Sequence, residues 1–433
     1  MANNILKTTI YDPTRFLCRI DNTIPMCATL SKPVQQISSL PSTLRYSYFR
    51  SIEAAGKDWD VAAPAHDLFL QRPYLHILEN NPPEGMRFGY LVFYKDDEPV
   101  GVALCQIKYF KGDDNIAELN VTQKEPCFFY GLAQWFKRWV AGKTAADILI
   151  CGNMLLTGEH GYHFDSEKVP HTEATQWLEK ALTDVIDIMG REGVKMPVIL
   201  VKDVPPVQRD DNKVLTDKGF VEFCIQPNMV LELPFQDFDS YLSAMSTKYR
   251  TRAKRAIKKL DGVERKELSL ADIQRELPRI YALYKEVAKN AGFNMVDLNE
   301  YYLPALKRDL GNAFRMCGYY QGDTLLAFYT TIHNGDEMEA HFLGYDKALN
   351  HDLQLYLNCL YDIIRQAFDK GSKTVVFGRT ALEIKSSVGA VSNELYCYLR
   401  HQNSFINNFT GTILEYLKPV EEWVPRHPFK EEK

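Results

Sequence analysis

Metal-binding and redox cysteine pairs are missing from this 433-residue chain: nine cysteines are present and none forms a Cys-x-x-Cys pair. Cys18, Cys27, Cys105, Cys127, Cys151, Cys224, Cys317, Cys359 and Cys397 are scattered and odd in number. That is the pattern of small buried apolar residues kept reduced. Long apolar runs are missing too, since none approaches the roughly 18 to 20 residues needed to cross a bilayer. Met1 to Arg15 carries polar and charged residues where a signal peptide would need an apolar core. The expected address is therefore the cytoplasm, with at most peripheral contact at the inner membrane face, and no permanently bound cofactor or metal is expected. No stretch interleaves aromatic with basic residues as a dedicated RNA binder would.

What is present is ordinary globular composition, 45% hydrophobic and 25% charged, which with this length suits two or three packed cores. The net charge of −5 decides little, but its distribution is uneven. Phe238 to Leu260 reads as one helix with Leu242, Met245, Tyr249, Ala253, Ile257 and Leu260 on a stripe. Lys248, Arg250, Arg252, Lys254, Arg255, Lys258 and Lys259 surround it, and no acid interrupts Ser246 to Lys259.

The strongest pattern is a folding unit that occurs twice. An apolar hairpin from Phe88 to Phe110, turning at Asp96-Asp97-Glu98-Pro99, matches one from Phe314 to His333, turning at Gly322-Asp323. Each is followed by a long amphipathic helix, a glycine turn and a short apolar strand, Val198 to Val201 and Thr374 to Phe377. The first copy carries extra sequence between hairpin and helix, including a helix with Trp135 and Trp139 and the loop Gly152 to Tyr162. Elsewhere a helix is expected from Asp60 through Leu78, broken near Pro73, and strands at Met229 to Leu233, Glu337 to Tyr345 and Leu395 to Leu399. A last helix is expected near Phe405 to Leu417. The fold class is α/β with mixed sheets in two tandem domains. Residues 1–45 form an arm, 46–235 the first domain, 236–265 a basic linking helix, 266–420 the second domain and 421–433 a loose tail.

Hairpin, third strand, helix, strand and then the Leu215-Thr216-Asp217-Lys218-Gly219-Phe220 segment resemble the order of a GNAT acyltransferase domain. The doubling, the basic stretch Tyr241 to Lys259 and the second copy's Leu343-Gly344-Tyr345-Asp346, Phe377-Gly378-Arg379, Glu383-Ile384-Lys385 and Gly389 narrow the resemblance. It points to the FemAB-like branch of that superfamily, in which two GNAT units sit side by side. Such a relationship implies transfer of an acyl group onto an amine. The donor would be acyl-CoA or an acyl carrier protein and the acceptor an amine, a sphingoid-type lipid amine among the options. Aminoacyl-tRNA feeding a peptidoglycan precursor is the alternative, and a non-catalytic binding module on a degenerate pair is a third.

The chemistry needs a base for the amine, a donor for the oxyanion and positive charge or free N–H groups for the phosphates. The resemblance places the base on the strand before the long helix, so Glu339 and His341, two apart and on one face, come first. Tyr345 could protonate a leaving thiolate. Lys385 and Arg379 could hold phosphate or polarise a carbonyl, and Lys248, Arg252 and Arg255 could bind phosphate, tRNA or anionic lipid. In the first copy Glu159 and His160 are acid/base candidates, and Gly158 and Gly161 line a loop placed where GNAT proteins cradle pyrophosphate, although its spacing departs from theirs. His160, His163 and His171 lack the fixed carboxylate or Cys partner that a zinc site would need.

Overall fold

The computed structural model describes residues 36–37, 44–110, 146–224, 226–289, 296–417 and 423–430. The helix expected around Trp135 and Trp139, and Cys18, Cys27 and Cys127, lie outside the described residues.

Two mixed sheets organise the chain. The first holds β1 (Gln36–Ile37), β2 (Leu44–Phe49), β3 (Met86–Lys95), β4 (Glu98–Phe110), β5 (Ala146–Cys151), β6 (Tyr162–Phe164), β7 (Val198–Val204) and β8 (Val221–Cys224). The second holds β9 (Asn228–Glu232), β10 (Glu264–Glu267), β11 (Phe314–Gln321), β12 (Thr324–Asn334), β13 (Glu337–Tyr345), β14 (Thr374–Gly378) and β15 (Val391–Asn393), and the chain ends its strands with β16 (Tyr396–His401). Both hairpins close on two-residue turns, Asp96-Asp97 between paired Lys95 and Glu98 and Gly322-Asp323 between paired Gln321 and Thr324. Asp96 and Asp97 both have positive φ, a conformation that Asp tolerates and that matches the strand twist.

The doubling is a matter of pairing as well as order. In each copy the third strand, β5 or β13, is antiparallel to its hairpin and parallel to the strand after the long helix, β7 or β14. Those crossovers are the helices His171–Arg191 and Leu355–Lys370, the second stopped by Gly371 in the left-handed region.

The copies are not separate along the chain, however. The sheet orders are β1-β2-β3-β4-β5-β7-β16-β8 and β10-β11-β12-β13-β14-β9-β15. β9, which follows β8, inserts between β14 and β15, and β16, which follows β15, inserts between β7 and β8. Each half thus lends one strand to the other. β9 precedes the boundary expected at residue 235 yet pairs in the second sheet, and β16 lies within residues 266–420 yet pairs in the first. Alternation tells a strand which face to bury but not which sheet to join.

Other expectations change as well. The helix expected from Asp60 to Leu78 is two helices, Ile52–Ala62 and Arg72–Asn80, with Pro73 in the first turn of the second, where its missing N–H costs nothing. The basic helix also divides, into Phe238–Ala244 and Thr247–Lys258, and it is no free linker. Ala253, Ala256 and Leu260 are buried in the second sheet's core beside Leu357, Leu360 and Ile364. At the break, Met245 bridges to Phe429, whose ring lies 5.2 Å from Phe235 and 5.9 Å from Tyr241. Phe429 thus anchors the described part of the tail to the second sheet's core.

Among the described residues three cores hold these layers. Helix His171–Arg191 covers one face of the first sheet with Trp177, Leu178, Ala181 and Leu182. Leu355–Lys370 and the basic helices cover one face of the second. The third core is shared, with Tyr90 and Val92 of the first sheet and Met316 and Phe328 of the second joined through Trp59, Tyr74, Leu283 and Tyr302. Fully burying each such side chain contributes about 1.5–3 kcal/mol. The shared core is what fixes one half against the other.

Candidate active site

β13 and β14 run together only briefly. Glu337, Met338 and Glu339 pair with Thr374, Val375 and Val376, after which β13 keeps β12 alone while β14 pairs with β9. In the first half, by contrast, β5 stays paired with β7 to its last residue, Cys151. The fork in the second sheet is sharpened by a bulge, in which His341 and Phe342 oppose the single residue Thr330. The Thr330 hydroxyl fills the gap, accepting the Phe342 N–H and donating to the Phe342 carbonyl, each at 2.8 Å.

Glu339 sits at the point of divergence and is 4% exposed. Burial, with the carboxylates of Glu337 and Asp67 nearby, pushes its pKa well above the usual range, while Lys385 and Lys202 oppose that rise. Its carboxyl makes no hydrogen bond among the described residues. His341 follows on the same face of the strand. Burial draws its pKa down to about 3, so the ring is neutral. Its Nε2 lies 3.0 Å from the Tyr302 hydroxyl.

The other prong of the fork ends in a strained turn. Gly378, Thr380 and Ala381 all have positive φ, and the two non-glycine residues cost roughly 1–3 kcal/mol each. Lys385 holds that turn, its buried ammonium donating to the carbonyls of Phe377 at 2.7 Å, Gly378 at 3.1 Å and Arg379 at 2.6 Å. Burial draws its pKa down to about 7, against the pull of Glu339. All three of its protons are thus directed at backbone, not at a phosphate.

Arg379 is committed elsewhere. Its guanidinium, 8% exposed as a residue, pairs with Asp203 through two nitrogens and donates from Nε to the Gln226 carbonyl at 2.8 Å. Asp203 also takes Lys202 and the Gly158 N–H. Burial alone would raise the Asp203 carboxyl, but the two cations outweigh it and hold the pKa well below the usual carboxylate range. This ionic knot joins the end of β7 to the end of β14.

From the first half, the loop after β5 reaches the same region. His160 Nδ1 lies 3.0 Å from Asp67 Oδ2, and Asp67 Oδ1 accepts the Phe69 N–H at 3.0 Å and the Asn334 amide at 3.2 Å. Burial would raise Asp67, but those partners, His160 foremost, hold it below its usual range. Burial raises Glu159 and Glu337; Glu159 feels Glu337 from the other half, and Glu337 feels His160 and Asp67. Acid groups of both halves therefore gather around the start of β13.

The remaining candidates are placed apart from this cluster. Tyr345 ends β13 six residues beyond Glu339, about 20 Å away at the usual strand rise, with its ring 5.9 Å from Tyr356. Lys248, Arg252 and Arg255 are exposed on the basic helix, and none has a carboxylate partner among the described residues. Gly161 is required by packing, since a Cβ there would lie 2.9 Å from the Gly152 Cα, and at Gly158 one would lie 2.9 Å from His160 Nε2. Their loop leads into β6 rather than into a helix, so no helix N-terminus follows it as a phosphate cradle would need. Asp67, Tyr74, Asn153, Lys202, Asp203 and Tyr302 were not singled out from the sequence. Only Asn153 lies in a segment read as a candidate site loop, Gly152 to Tyr162.

With this geometry in view, residues 247–386 match the family model of the acetyltransferase (GNAT) domain. The match takes in the fork, Glu339, His341 and Lys385. No curated protein matches the chain. Among solved structures it is similar to FemX at 12% identity over 78% of this chain and 97% of that one, with a TM-score of 0.47. A tandem GNAT protein from the clavulanic acid biosynthesis pathway matches at 9% identity over 83% and 99%, with a TM-score of 0.46. L-PGS from Bacillus licheniformis matches at 10% identity over 79% and 94%, with a TM-score of 0.42. No helix among the described residues is long and apolar enough to cross a membrane.

Proposed function

We propose that the chain is an N-acyltransferase that joins an acyl group from a thioester donor, acyl-CoA or acyl carrier protein, to an amine at the fork between β13 and β14. The observation that carries this reading is Glu339, a buried carboxyl with a raised pKa and no hydrogen-bond partner among the described residues, at the point where strands of the matched region part. A carboxyl tuned upward in this way is a suitable general base for an amine near neutral pH. The amine nitrogen attacks the carbonyl carbon and the carbonyl pair moves to oxygen. Glu339 takes the amine proton, and the pair on oxygen returns to re-form the carbonyl as the C–S bond breaks with its pair on sulfur. Lys385 serves by holding the strained turn that forms the opposite prong.

A second reading, with aminoacyl-tRNA as donor and a peptidoglycan-precursor amine as acceptor, draws support from the basic helix. Its exposed Lys248, Arg252, Lys254, Arg255 and Lys258 have no carboxylate partners among the described residues and suit a polyanion. An anionic membrane surface would use the same face. Incubating the protein with each donor and a pool of amines separates these routes. Acceptor-dependent thiol release supports the first, and acyl transfer abolished by RNase supports the second. Transfer from neither donor refutes both.

A further inference from the structure

A chain of side chains from both halves fixes where the His341 proton sits. Asn153 Oδ1 receives the Leu155 N–H at 3.0 Å and the Gln106 Nε2 at 3.5 Å. Gln106 is oriented in turn because its Oε1 takes the Met154 N–H at 2.8 Å. A backbone N–H can only donate, so both amides have a single orientation, and Asn153 Nδ2 faces the Tyr74 hydroxyl at 3.2 Å. An amide NH2 has no acceptor capacity, so the Tyr74 oxygen accepts. Its own proton then goes to its other partner, the Tyr302 oxygen, at 3.2 Å. Tyr302 has accepted, and it spends its proton on His341 Nε2 at 3.0 Å. Tyr74 and Tyr302 are both fully buried, out of reach of bulk solvent.

His341 therefore accepts at Nε2, and the proton of the neutral ring is on Nδ1. That nitrogen is buried and has no hydrogen-bond partner among the described residues. An unpaired buried donor is destabilising unless a ligand supplies the acceptor.

We propose that His341 presents its Nδ1–H to the carbonyl oxygen of the acyl donor, with Tyr302, Tyr74 and Asn153 as positioning residues that lock this tautomer from across the two halves. The inference rests on the acyl-transfer reading of the same site. It replaces the expectation that His341 is a base, because the locked ring has no lone pair to offer at Nδ1. Proton removal stays with Glu339, two residues earlier on the same strand face, while Nδ1–H stabilises the oxygen that becomes negative. The ring acts as a neutral electrophile, and the site is complete only when both halves are in place.

Nitrogen-15 NMR of histidine-labelled free protein tests the tautomer without any substrate, with the His341 signals assigned from their loss in His341→Asn. The expected result is a protonated Nδ1 and an unprotonated Nε2. Tyr302→Phe should mix the two tautomers and lower kcat by about 10²–10³, the scale of one oxyanion donor, with KM little changed and the thermal transition retained. His341→Asn, whose amide places an NH2 near the Nδ1 position, should keep more activity than His341→Ala. An Nε2–H tautomer in the wild type overturns the inference while leaving acyl transfer untouched. So does a Tyr302→Phe protein with unchanged tautomer and kcat. The stated tautomer without transfer from any donor overturns the carbonyl role and the acyl-transfer reading together.

Discussion

Replacing Asp203 with Asn should destabilise the protein far more than its single-atom change suggests. Asp203 sits in the left-handed region at φ 63°, which Asn tolerates, so the backbone need not move. What changes is charge: the fully buried carboxylate faces Arg379 and Lys202, whose side chains are each 5% exposed. Removing it leaves two buried cations uncompensated, and breaking a buried pair from one side costs about 3–5 kcal/mol. At roughly 2–4 °C per kcal/mol, the scale for units of 150–250 residues, the melting temperature should fall by roughly 6–20 °C. The sign of the pH dependence follows from the depressed folded-state pKa. The stabilisation is fully present above the unfolded value of about 3.9 and fades as pH falls below it. Thermal unfolding of both proteins between pH 3 and 8 measures this directly. The wild-type advantage should be flat from pH 5 to 8 and shrink towards pH 3. A cost below about 1 kcal/mol, or an advantage unchanged at pH 3, would refute the role given to this knot.

Further outcomes follow from other parts of the structure. Glu339→Gln should lower kcat by about 10²–10⁴, and the acid limb of the wild-type kcat/KM profile should lie above the usual carboxylate range because the folded pKa is raised; steady-state rates across pH check both. Cys105 and Cys397 are buried with thiols pushed up to about 12, so a thiol reagent should leave them unmodified in the native protein and label them after denaturation, as peptide mass analysis would read. Gly389→Ala should loosen the C-terminal segment, because φ is +102° and a Cβ would lie 2.5 Å from the Phe429 ring. Faster proteolysis after residue 423 in that variant is the expected sign.

Local pattern carried much of the architecture. The two hairpins, their turns at Asp96-Asp97 and Gly322-Asp323, and the helices ending near Gly193 and Gly371 were all legible, because periodicity and turn chemistry act over a few residues. The exchange of β9 and β16 was not, since either strand is as apolar as the neighbours it might have joined. The same limit hid the chemistry of the site. Glu339 and His341 were found as a pair on one strand, but the residues that set their behaviour, Asp67, Tyr74, Asn153 and Tyr302, come from distant parts of the chain. Arg379 and Lys385 were read as free cations, and only the fold reveals the carboxylate and carbonyls that occupy them. The break of the basic helix at Met245 depended on Phe429, almost two hundred residues away.

Acyl transfer by wild-type and Glu339→Gln protein, measured with acyl-CoA, acyl carrier protein and aminoacyl-tRNA donors against a pool of amines, is the most direct test of chemistry at the fork. The predicted result is amide formation that needs both donor and amine and falls by at least about 10² in the folded variant. Amide formation at an undiminished rate in that variant would contradict it, as would no amide from any donor.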